Sequence, residues 1–124
     1  MSEREQLQYE VLAELASYSE RLIPAVQHVI DELNGNEKSD TGEFLNEVIT
    51  GINWEIEVYN QCADLVNSQS SYINKRSMIQ SVTNLGQALN SGDSLSVAEC
   101  LELDFLPFLN KLALAAKKIT AQAH

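Results

Sequence analysis

Apolar residues recur along the chain with the period of a helix. Leu7, Val11, Leu15, Tyr18, Leu22, Val26, Val29 and Leu33 are separated by steps of three or four, which places them on one helical face. A second set, Leu12, Ala16, Ile23 and Ile30, widens that face. The pattern predicts a first helix over about residues 3–33, ending at the Asn34-Gly35-Asn36 stop signal. Pro24 interrupts it and predicts a kink or a short break near Ile23, because proline lacks a donor and clashes with the preceding turn.

The polar stretch from Gly35 to Asp40 reads as a loop. A second helix is expected over about residues 40–67, with Asp40 as cap and Glu43 completing a capping box. Its stripe is Phe44, Val48, Ile52, Ile56, Tyr59, Ala63 and Val66, and Gly51 within it points to a close helix contact. Asn67 to Ser71 reads as a turn. A third helix over about residues 72–90 carries Met78, Val82, Leu85 and Leu89 in register, together with the basic pair Lys75–Arg76. Ser91-Gly92-Asp93 ends it. A fourth helix over about residues 94–119 is marked by a Ser96/Glu99 capping box. Its stripe is Leu95, Ala98, Leu101, Phe105, Phe108, Leu112, Ala115 and Ile119. Pro107 falls inside that stripe and predicts a bend or a split. Lys111, Lys117 and Lys118 complement the dipole near the end of this helix, and the tail from Thr120 to His124 is expected to fray.

No alternating run flanked by hairpin turns occurs, so strands are not expected. Four amphipathic helices joined by short polar connections predict a single all-α domain over residues 1–124, an antiparallel up-down four-helix bundle with helices 1 and 4 kinked or broken at their prolines. A homodimer is a further expectation, built from leftover apolar positions on helices 1 and 4 such as Leu12, Ile23 and Leu106.

The net charge of −10 narrows the partners. It repels nucleic-acid phosphates and anionic membrane surfaces, and it favours encounter with a basic protein surface. No apolar run is long enough to span a membrane, and the N-terminus MSEREQLQYE does not read as a signal peptide, so a reduced cytoplasmic setting is expected.

Catalytic chemistry finds little to work with. The carboxylates Glu99, Glu102 and Asp104, and those of helix 2, lack the Glu-x-x-His pairs that di-metal bundle sites use. The two histidines are His28 and His124. His28 has Asp31 and Glu32 at helical spacing but no accompanying nucleophile. Cys62 and Cys100 fit no metal spacing and read as free thiols. Glycine-rich phosphate loops and nucleophile-elbow motifs are missing. Neither a catalytic residue, a cofactor nor a metal is therefore expected. Most of the aromatic set Trp54, Tyr59, Tyr18, Tyr72, Phe105 and Phe108 reads as core. Trp54 is the exception: it lies off the centre of its stripe among Glu47, Glu55 and Glu57, as a partner-binding hot spot would.

The segment Gly92-Asp93-Ser94-Leu95-Ser96-Val97-Ala98-Glu99-Cys100-Leu101-Glu102-Leu103-Asp104-Phe105-Leu106-Pro107 resembles a pattern in small bacterial helical-bundle domains of unknown function. That pattern runs Gly-Asp, a hydrophobic lead-in, Ala-Asp/Glu, Leu-Glu-x-Glu and a proline a turn later. Here Asp104 stands where glutamate is commoner, and Ser94 where an aromatic is. The resemblance implies a helical bundle and carries no established activity. The expected function is a non-enzymatic protein–protein interaction module, such as an adapter, an export-chaperone-like or a regulatory bundle. The alternatives are a toxin-neutralising immunity protein and, third, a metal-binding or enzymatic bundle.

Overall fold

The computed structural model describes residues 2–68 and 73–122. Helix α1 spans Glu3–Leu33, α2 Thr41–Asn67 and α3 Lys75–Ser91. The fourth helix is in three pieces: α4 (Ser94–Cys100), a π-helical turn (Leu101–Phe105) and α5 (Leu106–Gln122). No strand occurs among the described residues. Tyr72, His124 and most of the Asn67–Ser71 turn lie outside them.

Helices α1, α2 and α5 pack on one another, while α3 packs on α4 and the π turn. The shared core holds Leu12, Leu15, Val26 and Val29 from α1, and Ile52, Tyr59 and Val66 from α2. Leu101 and Phe105 of the π turn and Leu109, Leu112 and Ile119 of α5 complete it. Tyr59 meets Phe108 edge-to-face at 5.8 Å and donates its hydroxyl to the Ile73 carbonyl (3.0 Å). Asn67 donates to the Tyr59 oxygen (3.3 Å) and accepts from the Ile73 amide (3.0 Å). Three buried or half-buried polar groups thus tie the start of α3 to the end of α2.

The caps differ from those read off the sequence. Asp40 makes no side-chain cap hydrogen bond. The corner before α2 is held instead by Thr41, whose hydroxyl donates to buried Glu32 (2.6 Å) and accepts from the Lys38 amide (2.7 Å). At α4 the cap is Asp93 rather than Ser96. Its carboxylate accepts from the Leu95 amide (3.1 Å) and from the Ser96 hydroxyl (2.9 Å). Asn74 caps α3, which therefore starts three residues later than the pattern predicts. Gly92 takes the left-handed conformation that ends α3 (φ 72°).

Helix α1 runs from Glu3 to Leu33 with Pro24 inside it. Pro24 and Glu20 are both exposed, so water can reach the carbonyl that loses its helical donor. Just before Pro107 the helix widens by one residue, and the Leu106 amide bonds to the Leu101 carbonyl, five residues back. A π turn gives the proline ring room without ending the helix. In α2 the backbone leaves helical dihedrals at Cys62 (φ −115°, ψ 15°), near neither proline nor glycine. There the Gln61 carbonyl accepts from the Gln8 side chain of α1 (3.2 Å), and a side chain engaging the ladder is a known cause of such irregularity.

Two expectations about exposure are corrected. Leu12 is fully buried, and Ile23 and Leu106 pack half-buried against the core, so Leu12 is no leftover apolar position for a dimer interface. The stripe read on helix 3 splits: Met78 and Leu85 face inward, while Val82 (43% exposed) and Leu89 (38%) face out. Because α3 rests mainly on the fourth helix, it buries only part of its apolar face. Leu7 and Leu95, each placed on an apolar stripe by the spacing, are also exposed.

Candidate functional site

The residues singled out on helix 2 converge only in part. Trp54 and Glu47 line a surface groove between α1 and α2, together with Glu14, Tyr18, Arg21 and Gly51. The groove exists because α1 and α2 come together at Gly51. A Cβ added there would collide with the Tyr18 hydroxyl and lie 2.9 Å from Leu22 Cδ1. Tyr18 fills the space a side chain would take. It meets Trp54 edge-to-face (centroids 5.5 Å apart, planes at 87°), and Arg21 carries its guanidinium 5.6 Å from the Tyr18 ring centre. Such ring pairs and cation–π contacts hold an aromatic platform in one geometry.

Trp54 is half-buried, with its indole on the platform and part of its surface open to water. Glu14 and Glu47 are exposed on either side, and Glu57 is exposed one turn further along α2. The site therefore offers an anchored aromatic centre and a carboxylate rim.

Glu55 does not belong to this surface. It is fully buried, turned about 100° around α2 from Trp54 and into the core. Its Oε2 accepts from the Ser19 hydroxyl of α1 (2.9 Å), and its Oε1 has no hydrogen-bond partner among the described residues. Burial pushes its carboxyl up to about 7, and the Ser19 hydrogen bond offsets only part of that. A signal for this was present in the spacing. Val48, Ile52, Glu55, Tyr59, Cys62 and Val66 follow helical steps, which puts Glu55 on the inner seam.

The remaining candidates are dispersed. His28 is exposed and pairs with buried Glu32 (3.0 Å), while its ring tilts against Phe44 (5.7 Å). With Thr41 on the other Glu32 oxygen, this group braces the α1–α2 corner. Cys62 is buried and Cys100 half-buried, and both are free thiols. Burial raises the pKa of both, and at Cys100 the nearby Asp104 and Glu99 charges add to the effect. Among the described residues no three His, Cys, Asp or Glu side chains converge as metal ligands. None of the described helices is long and apolar enough to cross a membrane.

A family model described as a domain of unknown function, DUF8042, matches residues 10–115. It covers most of α1 and of α5, all of α2 and α3, and the whole of the groove. No curated protein and no solved structure matches the chain.

Proposed function

The chain belongs to this family of domains of unknown function, and we propose that it works without catalysis, as a protein–protein interaction module that docks a basic segment on the α1–α2 groove. The observation that carries the reading is Trp54, held edge-on against Tyr18 and rimmed by Glu14 and Glu47. The occupant we infer is a lysine- or arginine-bearing amphipathic segment of another protein. Its apolar side chains would cover the indole and its cations would meet the rim. The net charge of −10 would speed that encounter. The module we envisage is cytoplasmic, with four helices alternating in direction and bending at Pro24 and Pro107.

Trp54 is the only tryptophan in the chain, so its fluorescence reports on the groove alone. Titration with a Lys/Leu amphipathic peptide should shift its emission to the blue, and added salt should weaken the binding. Glu47→Lys should weaken it at least tenfold. A Glu/Leu peptide of the same length that binds equally well would sink the reading, as would an emission spectrum that neither peptide moves.

A further inference from the structure

The apolar face of α3 is wider than the part the bundle covers. Met78, Leu85 and Ala88 are buried. Ile79 (53% exposed), Val82 and Leu89 continue this face along one flank that the bundle leaves uncovered. Its spacing is that of a coiled-coil seam. Lys75, Ile79, Val82, Gly86 and Leu89 follow steps of four, three, four and three, the alternation of a and d positions in a heptad. Asp93 lies just past the helix, as the cap of α4.

Two features of α3 have no explanation within a single copy. Gly86 sits mid-helix, where glycine costs about 1 kcal/mol relative to alanine, yet a Cβ added there would meet nothing within 4 Å. Lys75 and Arg76 occupy the first turn, at the positive end of the helix dipole, where cations are unfavourable. No ion pair engages either of them among the described residues.

We propose that the outward stripe of α3 is a homodimer seam, on which a second copy of this chain packs its own α3 antiparallel about a two-fold axis. The occupant follows from the register. Antiparallel pairing centred on Asn84 sets Ile79 against Leu89 of the second copy and Val82 against its Gly86. It brings Lys75 to the negative end of the partner's helix, where Asp93 follows the Gly92 turn. Each layer pairs an a with a d position, as antiparallel coiled coils require. Each apolar layer sets a larger side chain against a smaller one or an equal, and each end brings a lysine to a negative helix end. Gly86 provides the room Val82 needs, and the basic first turn acquires its counterpart. Parallel pairing would instead stack Lys75 on Lys75. This seam is separate from the α1–α2 groove, so either surface can fail without the other.

One helix pair buries less than the ~800 Å² per partner of a stable complex, so the association is weak and depends on concentration. Sedimentation of the full chain from about 10 μM to about 1 mM should show the average mass rising from 13.8 kDa towards twice that value. Val82→Glu and Leu89→Glu should each move the midpoint at least tenfold upward with unchanged helical circular dichroism. Leu114→Glu, at an exposed leucine on α5, should leave it in place. In a Cys100→Ser background, Ile79→Cys chains should form disulfides with Leu89→Cys chains faster than either forms them with itself. A mass that stays at 13.8 kDa throughout, an equal effect of Leu114→Glu, or faster Ile79→Cys self-crosslinking would each overturn the proposal.

Discussion

Replacing Glu55 by glutamine tests the account of the interior most directly. The folded carboxyl titrates near 7 against an ordinary value of 4.5 because it is buried. Between those values the folded chain holds a proton that the unfolded chain has released. Stability therefore falls as pH rises through this window, and the loss is complete above pH 7. At ~1.36 kcal/mol per pH unit the gap between 4.5 and 7 amounts to about 3 kcal/mol. Glutamine has nearly the same shape, can keep one hydrogen bond to Ser19 and cannot ionise. Glu55→Gln should thus remove the slope. Near pH 5, where Glu55 is neutral, the two proteins should agree within about 1 kcal/mol. At pH 8 the variant should be more stable by about 3 kcal/mol, or roughly 1–2 M in urea midpoint for a typical slope. Urea titrations followed by circular dichroism at pH 5, 6, 7 and 8 measure this. All other groups are common to both proteins and cancel in the difference. A difference that stays constant from pH 5 to 8 would refute the reasoning, and so would a wild type that gains on the variant as pH rises.

Other expected outcomes are narrower. Gly51→Ala drives a methyl into the Tyr18 hydroxyl and Leu22; it should cost about 1–3 kcal/mol by overpacking and alter Trp54 fluorescence, both measurable in one thermal melt. Tyr59→Phe leaves the Ile73 carbonyl without its donor, which should cost about 1–2 kcal/mol and speed amide exchange at the start of α3 more than in α1. With an aromatic disulfide reagent at pH 8, the thiol of half-buried Cys100 should react first. Buried Cys62 should react only on unfolding, so urea should accelerate the second phase and leave the first nearly unchanged.

The helices were legible because burial imposes a period that survives without any neighbour in view. Leu15, Val26 and Val29 on α1, and Phe105, Leu112 and Ile119 on the fourth helix, lie where the spacing put them. Val82 and Leu89 share the same period but face water. Periodicity finds a face without saying what covers it, and α3 rests mainly on the fourth helix. Caps were less legible, since serine and aspartate compete for the same amides. Asp93 took the role assigned to Ser96, and Thr41 with buried Glu32 replaced Asp40. At the groove, the place of Trp54 off the centre of its stripe matches its half-buried position. Glu55 was taken for surface because its charge outweighed its position, although its spacing matches that of Ile52 and Tyr59. Tyr18 and Arg21 carried no local signal as site residues; only the close approach of α1 and α2 at Gly51 makes them neighbours of the indole.

The extra residue in the turn ahead of Pro107 behaves as an indexing notch. One residue of helix corresponds to a rotation of about 100°, and α3 is attached through α4 and this same turn. Shortening Leu101–Phe105 by one position would turn α4, and α3 with it, by that angle relative to α5, at the expense of the packing of α4 on α1 and of the Tyr59–Ile73 hydrogen bond. The direction in which Ile79, Val82 and Leu89 point is thus set by the length of a five-residue segment outside their own helix, so a one-codon deletion there would re-aim that face without altering a residue on it.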